Sequence, residues 1–560
     1  MSRVVLSICA ALLLLACDRA PVAPGDGAPD PEAPAVANDT PAGQRIEADV
    51  RTLADDRMQG RLTGSAGYGL ASRHVAARFK AIGLEPAGDD GDWFQRVPLT
   101  RAVVVRDGAR LDISRNGRTL RLRFGEQFLP LPNFNTSDST VTAQAVFVGQ
   151  AIDAPELGHD DFRGIDLRGR IAVVFGGAPD TFPPTQRAHY SASRAKAEAV
   201  ASRGAIGLLI VNTAADEAGQ PWARLAGRWN QPAMRLRGTD GAAVDGFPQL
   251  RATAIVAAAA ADLVFADGPR TAAQLFDAAR AGTLAPFALP GRMTIAGRTR
   301  IDRLESRNVL ARLPGRDPAL AGESIVHTAH LDHIGIGPAV DGDTLYNGAI
   351  DNALGVAIML EAAHALRGAE QAPKRSVVFA ALTGEEQGLL GATWLARYPT
   401  AGVGRAVANI NIDMPVLTAP TRDVVAIGVE HSTLRAAVDR AAAEVGVEVS
   451  PDPFPEEVAF VRSDQYAFVR AGIPAVYLDA GVAPANEGQD PKVAATWFLR
   501  NCYHRPCDQV DLPIQYGDAA RLAQVSAALS RVIGDDAAAP RWNPGDFFGT
   551  RFGGGDAAPR

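Results

Sequence analysis

From Ser306 onward the sequence alternates short apolar runs with amphipathic stretches, and this alternation restricts the fold more than any other feature. The runs have the length of buried strands, and the stretches have the three-to-four spacing of helices. Strands are predicted at 308–313, 324–329, 375–382, 407–412, 423–427 and 474–478. Helices are predicted at 353–366, 388–398 and 433–445. This order is typical of an α/β fold in which a mainly parallel mixed sheet carries helices on both faces.

The region before it, residues 140–290, has a different character and is predicted to form a second, smaller α/β domain. Short strands at 145–148, 171–175 and 207–211 alternate with turns and with a helix at 193–202. No cluster of titratable residues with catalytic spacing occurs there, so an accessory role in packing or substrate access is expected. A chain of 560 residues with 47% hydrophobic content is long and apolar enough for two such domains.

The remaining folded segments lie at the two ends. Residues 44–99 show helical spacing, and residues 100–135 alternate apolar and charged side chains as antiparallel strands do. The tail after Asp535 is rich in Gly and Pro, which predicts irregular structure, although its aromatic residues could dock on the fold.

The amino terminus has the pattern of an export signal. Arg3 precedes an apolar stretch, 4–16, that is too short to span a bilayer. The stretch ends in Leu14-Leu15-Ala16-Cys17, which resembles the bacterial lipoprotein box, and an ordinary signal with a chance cysteine is the alternative. Residues 18–43 have the composition of a solvated tether. We therefore expect a protein in the cell envelope or periplasm that meets the membrane only through a lipid on Cys17.

Cysteine content argues against a catalytic thiol, and the charge distribution argues against nucleic-acid binding. Loss of Cys9 with the signal and lipidation of Cys17 would leave Cys502 and Cys507, which in an oxidising compartment favours a disulfide over a catalytic thiol. The net charge of −7 arises from 63 acidic and 56 basic residues interspersed along the chain. Without a basic stripe to follow a phosphate backbone, nucleic acid is excluded as a partner.

Polar residues follow the predicted strand 324–329. His330 and Asp332 lie two apart on an extended backbone and so point to the same side. An imidazole there can bind a metal while the carboxylate behind it fixes the tautomer. The alternative is an ordinary polar pair at a strand end.

Further polar residues follow other predicted strands or a Gly-bounded turn. They are Asp351, Glu385, Glu386, Asp413 and His504. In open α/β sheets ligands bind at the carboxyl ends of the strands, where these residues are expected to meet. Two imidazoles and three carboxylates suit two zinc ions that share one carboxylate, and the spare acid would then act as the base. Taken singly, the glutamates could be a helix start, His504 a packed loop residue and Asp413 a turn residue.

The motifs occur in a characteristic order. They are His330-Leu-Asp332, Gly348-Ala-Ile-Asp351-Asn352, Thr383-Gly-Glu385-Glu386-Gln-Gly-Leu389, Asn411-Ile-Asp413-Met414, Ser463-Asp464 and Tyr503-His504. This set resembles that of the secreted di-zinc aminopeptidases, whose relatives include glutamate carboxypeptidase and the transferrin receptor. Residues 140–290 resemble the protease-associated domain that many members carry as an insertion. The resemblance covers roughly residues 45–545.

The resemblance implies a ligand set. Asp351 would bridge two zinc ions, Glu386 and His504 would complete one site, and His330 and Asp413 the other. Asp332 would orient His330, and Glu385 would be the general base.

The resemblance also implies one unusual peptide bond, and the sequence departs from the family pattern at two positions. In the family the peptide bond between the bridging Asp and its neighbour, here Asp351-Asn352, is cis. Leu354 and Gln465 depart from the common pattern, where a small residue and a histidine are frequent. Neither departure removes a ligand, although both bear on the shape of the pocket and on amine recognition.

The resulting prediction is an exported metallo-aminopeptidase that hydrolyses the N-terminal bond of peptides. Its expected segments are a lipoprotein signal at 1–17, a tether at 18–43, peptidase parts at 44–139 and 291–538, the insertion at 140–290 and a tail at 539–560. A carboxypeptidase of the same fold is one alternative. A non-catalytic receptor-like protein is another, although that branch has lost ligands that this chain keeps. A glutaminyl cyclase fits less well, because that activity uses one zinc and lacks the insertion.

Overall fold

The computed structural model describes residues 40–554. Its first helix, Pro41–Leu53, begins inside the segment predicted as a tether, because the Thr40 hydroxyl caps it by accepting from the Gly43 amide at 3.0 Å. Proline at the first helical position favours the same start. The predicted signal peptide, most of the tether, Cys9 and Cys17 lie outside the described residues.

A twelve-stranded sheet forms the frame of the molecule. Along the sheet the strands are Ala233–Leu236, Phe94–Arg115, Arg292–Leu313, Ser376–Leu382, Glu323–His330, Arg405–Ile412, Ala475–Ala480, Asp423–Ile427 and Glu448–Ser450, with Glu85–Pro86, Arg118–Arg121 and Asp138–Ala143 at its margins. The four strands that begin with Ser376–Leu382 pair in parallel, and their outer neighbours Arg292–Leu313 and Asp423–Ile427 run antiparallel to them. The predicted mixed sheet is confirmed, with parallel pairing at its centre.

Helices cover both faces of this sheet, as predicted. Alternate residues of the central strands belong to different cores: Val377 and Phe379 pack on one side, and Val378 and Ala380 on the other. The first core contains the helices Pro41–Leu53, Ala66–Ile82, Gly355–Gly368, Leu434–Val445 and Tyr516–Asp535. The second contains Leu390–Arg397 and Gln465–Arg470. Burial on both faces explains why these strands read as continuous apolar runs.

The predicted helix at 388–398 starts later than expected. Gly388 and Leu389 have φ values of 106° and 60°, so the α-helix Leu390–Arg397 cannot extend back through them. The most apolar helical segment, Ala349–Gly368, has the length and composition of a membrane span, but 89% of its most apolar window is buried inside the protein. It is a core helix beneath the sheet.

A second sheet of six strands forms the smaller layer. Its order is Phe287–Ala288, Ala145–Phe147, Ile171–Phe175, Gly207–Val211, Ala252–Val256 and Phe128–Pro130. Its helices are Pro184–Ser191, Ser193–Ser202, Ala214–Gly219, Trp222–Gly227, Ala261–Phe265 and Ala272–Arg280.

The limits of this second layer differ from the predicted 140–290. It begins at Phe128–Pro130, because that strand pairs antiparallel with Ala252–Val256. Conversely, Ala233–Leu236 leaves it to pair with Phe94–Arg115 of the large sheet. Pairing between segments so far apart in the sequence cannot be predicted from a local pattern of apolar residues.

The tail is not irregular throughout, so that prediction is wrong over Phe547–Phe552, which form a short helix. The Asp546 carboxylate caps it by accepting from the Gly549 amide at 2.9 Å. The expected docking of aromatic residues occurs: Phe548 is fully buried, and the Trp542 indole donates to the Gly472 carbonyl at 2.9 Å. The remaining α-helix of the described residues is Pro491–Asn501.

Candidate metal centre

The predicted polar residues converge at the carboxyl ends of the central parallel strands. His330 is the last residue of the strand Glu323–His330, and Asp413 directly follows Arg405–Ile412. Glu385 and Glu386 lie in the loop after Ser376–Leu382. The parallel pairing of these strands therefore places their ends at one edge of the sheet.

Two groups of side chains form at this edge. The first contains His330, Asp351 and Asp413. His330 Nε2 lies 2.8 Å from Asp413 Oδ1 and 3.3 Å from Asp351 Oδ1. The Tyr477 hydroxyl donates to the Asp413 carbonyl at 2.7 Å and so fixes the backbone there.

The second group contains His333, Asp351, Glu386 and His504. His504 Nε2 lies 3.2 Å from Asp351 Oδ2 and 3.1 Å from Glu386 Oε2. His333 Nδ1 lies 2.8 Å from the other Glu386 oxygen and 3.8 Å from Asp351 Oδ2. Asp351 thus directs one oxygen to each group, which is the arrangement of a bridging carboxylate.

The backbone around Asp351 is fixed from both sides. The Asp508 carboxylate accepts from the amides of Ile350 at 2.8 Å and Asp351 at 3.0 Å. The peptide bond Asp351-Asn352 is cis, as the resemblance implied. The Asn352 side chain accepts from the amides of Gly355 and Met414, so it ties this turn to the strand end that carries Asp413.

Arg61 lies in the turn between the first two helices and binds backbone segments next to the candidate metal ligands. Its guanidinium is fully buried and donates to four backbone carbonyls, those of Leu53, Leu331, Asn347 and Gly348, at 2.6–2.9 Å. Burial lowers the pKa of Arg61 to about 10, against the opposing attraction of nearby carboxylates, so the side chain remains a cation at neutral pH. One side chain therefore joins the residue after His330 and the segment before Asp351 to the end of the first helix.

Asp332 acts differently from the sequence-based expectation. His330 Nδ1 donates to the main-chain carbonyl of Asp332 at 3.0 Å, so the carbonyl orients the ring. The carboxylate of Asp332 instead accepts from the Thr63 hydroxyl at 2.8 Å and from the Glu385 amide at 3.1 Å. The reason is that residue 332 lies beyond the strand, which ends at His330, so the two side chains no longer alternate as on extended backbone. Asp332 positions the Glu385 loop.

The electrostatics of the two groups are strongly coupled. Burial opposes ionisation of Asp351, but the imidazoles of His333, His330 and His504 outweigh it and hold its pKa well below the usual range. Burial likewise opposes protonation of His504, yet Glu386 and Asp351 raise its pKa to about 10. These carboxylates therefore favour cations at the positions that the imidazole nitrogens face.

Glu385 behaves in the opposite way. Burial raises its pKa well above the usual value, and the neighbouring charges of Asp413 and Glu386 raise it further against the attraction of His330. No described residue pairs its carboxylate in a salt bridge. An acid without a salt-bridge partner beside candidate metal ligands is placed where a general base could act.

The donor set fits zinc. Imidazole nitrogens and carboxylate oxygens are its usual protein ligands. Asp351 and Glu386 have side chains only 4% and 6% exposed, and buried carboxylates so close together require compensating positive charge. Divalent cations in the two groups would supply that charge.

The loop that carries His504 is fixed by the predicted disulfide. Cys502 and Cys507 are bonded, with their Cα atoms 5.2 Å apart. The ring of Tyr503 lies against that of His504, with centroids 3.9 Å apart. The positive φ of His504, 55°, fits a residue held in a tight loop.

Three residues of the centre were not predicted from the sequence. They are His333, Arg61 and Asp508. The signal for His333 was present, since it directly follows the motif His330-Leu-Asp332. Arg61 and Asp508 act on residues far away in the sequence, and no local pattern marks them.

Comparisons with known proteins agree with this geometry. Residues 308–530 match the model of Peptidase family M28. The match confirms the family resemblance inferred from the ordered motifs. It includes every predicted ligand and Glu385.

Curated relatives match over a short segment. Two proteins named "Probable zinc metalloprotease", from Pyrenophora tritici-repentis (strain Pt-1C-BFP) and Pyrenophora teres f. teres (strain 0-1), are each 53% identical to this chain over 68 residues. That segment is 12% of this chain and 15% and 14% of theirs. The chain thus matches about one seventh of the length of these relatives.

Among solved structures, the chain is similar to an aminopeptidase from Aneurinibacillus sp. strain AM-1. The TM-score is 0.51 at 20% sequence identity, and the match covers 89% of this chain and 97% of that one. At this identity the likeness supports the fold alone.

Proposed function

Because residues 308–530 form a Peptidase family M28 domain, we propose that the protein is a zinc-dependent aminopeptidase that uses two metal ions. One observation carries the proposal: Asp351 presents its two carboxylate oxygens to two separate groups of imidazole and carboxylate ligands. A site for a single ion would need no such division.

The proposed ligands follow from the two groups. His330 and Asp413 would hold one zinc ion, and Glu386 and His504 the other, with Asp351 shared. His333 is a further candidate at the second ion, where it either binds the metal or donates to Glu386. When bound by these residues, zinc would supply Lewis acidity toward a carbonyl oxygen and would lower the pKa of a water molecule to near neutrality.

The chain's own residues would perform the proton transfers. Glu385 accepts a proton from the attacking water and passes it to the leaving amine. The Asp332 carboxylate holds the Glu385 amide and thereby fixes the loop that aims this base. Asp508, Asn352 and Arg61 keep the backbone around the shared carboxylate in place.

Further parts of the proposal concern the rest of the chain. Peptides are the proposed substrates, and residues 140–290 are proposed to be a protease-associated domain. The motif Leu14-Leu15-Ala16-Cys17 supports an exported, lipid-anchored enzyme of the cell envelope.

Hydrolysis of a panel of aminoacyl-nitroanilides tests the activity. Because an aminopeptidase recognises a free amino terminus, the free substrates should be cleaved and the same substrates blocked at the amino group should not. A metal chelator should abolish the activity, and added zinc should restore it. Preference for amino-blocked peptides with a free carboxylate would instead favour the carboxypeptidase alternative.

A further inference from the structure

A cavity of about 440 Å³ lies between the two sheets. Leu208 and Ile210 from the smaller sheet line it on one side, and Leu236 and Leu390 from the larger layer line it on the other. Phe247 and Leu250 add further apolar surface. Its volume is within the range of small-molecule binding sites. No predicted metal ligand lines this cavity, so it is distinct from the metal centre.

The charged residues that line the cavity include more basic than acidic side chains. They are Arg194, Arg235, Arg470 and Asp245. Asp245 is already engaged by Arg194, whose Nε and Nη2 bind its two oxygens at 2.5 and 3.0 Å. Arg194 also contacts Glu198, an exposed residue, at 3.1 Å. Both carboxylate oxygens of Asp245, the one acidic residue among the described residues that line this cavity, therefore already accept hydrogen bonds from Arg194.

The other two arginines have weak partners. Arg470 approaches Asp245 only at 4.0 Å, and its side chain is 26% exposed. Arg235 donates to the neighbouring carbonyl of Met234 at 2.9 Å and lies over the ring of Phe134 at 4.9 Å from its centroid. Burial lowers the pKa of both guanidinium groups. A partly buried cation with no carboxylate within hydrogen-bond distance is costly, and an anionic ligand would offset that cost.

We propose that this cavity binds a small amphiphilic carboxylate, with its apolar body between the sheets and its carboxylate on Arg235 and Arg470. The apolar wall and the surplus of positive charge define this class. A free fatty-acid-like molecule and the carboxyl terminus of an apolar peptide share this chemistry. The proposal is independent of peptidase activity.

The cavity shares a wall with the catalytic loop. Gly388 lines the cavity, and its amide donates to the Glu385 carbonyl at 2.8 Å. Leu390, another lining residue, donates from its amide to the Gly384 carbonyl at 2.9 Å. A ligand in the cavity would contact the segment that carries the proposed base and a proposed zinc ligand.

Calorimetric titration of the full chain tests the proposal. Decanoate, below its micellar concentration, and acetyl-Leu-Phe, which cannot be an aminopeptidase substrate, represent the two sources of the carboxylate. Decylamine and acetyl-Leu-Phe amide are their matched controls. We expect at least one of the two carboxylates to bind, and its control to bind at least ~10-fold more weakly, because charge-assisted hydrogen bonds are lost. Whichever carboxylate binds more tightly identifies the source, and failure of both to bind overturns the proposal.

Four variants locate the binding. Arg235→Gln and Arg470→Gln should each weaken it at least ~10-fold. Arg300→Gln, at an exposed arginine of the strand Arg292–Leu313, should leave it unchanged. Asp413→Asn should also leave it unchanged, since a carboxylate bound to zinc would respond to loss of a metal ligand. Melting curves identify the variants that are folded. Binding that survives both arginine substitutions, or that disappears in Asp413→Asn, contradicts the proposed site.

Discussion

At the scale of single residues, two neighbouring glutamates have opposite properties although they share one loop. Glu386 makes contacts with His504 and His333 that, against the cost of burial, lower its pKa to about 2. Glu385 has no such partner, and its pKa is raised. Of the two, only Glu386 belongs to a group of candidate metal ligands. The family resemblance implied this division between base and ligand, and the different contacts of the two side chains are the physical basis on which it is proposed.

Substitution of each glutamate separates base from ligand. Glu385→Gln keeps the size of the side chain but cannot accept a proton, so kcat should fall at least ~10²-fold while zinc stays bound. Glu386→Gln should lower zinc content, and added zinc should restore part of its activity. Metal analysis alongside steady-state kinetics distinguishes the two. Loss of zinc from Glu385→Gln, or a near-normal rate, would refute the assignment.

At the scale of elements, the strands and their polar ends could be predicted, and the supports between them could not. His330, Glu385 and Asp413 each follow an apolar run, and parallel strands place such residues at one edge. The partners Arg61 and Asp508 lie in a turn and a loop without any periodic pattern. Their contacts span 270 and 157 residues, to Leu331 and Asp351, so only the folded chain reveals them.

The turn that carries Arg61 should therefore be essential to the centre. Arg61→Lys keeps the charge but has fewer donors in a different geometry, and it would leave buried carbonyls unpaired. We expect the free energy of unfolding to fall by about 2 kcal/mol and zinc to be held less tightly. Arg57→Lys, at an 80% exposed arginine near the same turn, is the matched control and should change neither. Denaturant unfolding and zinc titration measure both effects. Equal behaviour of the two variants would show that Arg61 does not support the centre.

At the scale of the whole molecule, the two sheets are joined more closely than a simple insertion would be. Along the chain, Asp138–Ala143 and Ala233–Leu236 lie between strands of the smaller sheet, yet they pair with Arg292–Leu313 and Phe94–Arg115 of the larger sheet. The sequence predicted two α/β regions but not these exchanges, because pairing partners are not encoded in local periodicity.

The location of the protein is tested through Cys17, which precedes the described residues. Cys17→Ser removes the proposed lipid attachment site and changes none of the residues that the structure describes. The variant should leave the membrane fraction and appear in the soluble fraction, with its peptidase activity unchanged. Fractionation followed by activity assay measures this. Continued membrane association of the variant would contradict the lipoprotein proposal.

The central claim is that one carboxylate serves two metal ions, and zinc content per chain tests it most directly. The purified protein should bind two zinc ions, and Asp413→Asn, which affects only the first group, should keep about one. Asp351→Asn should lose both, whereas Asp343→Asn, at an exposed aspartate, should keep both. A single zinc ion in the unmodified protein, or two in Asp351→Asn, would contradict the account.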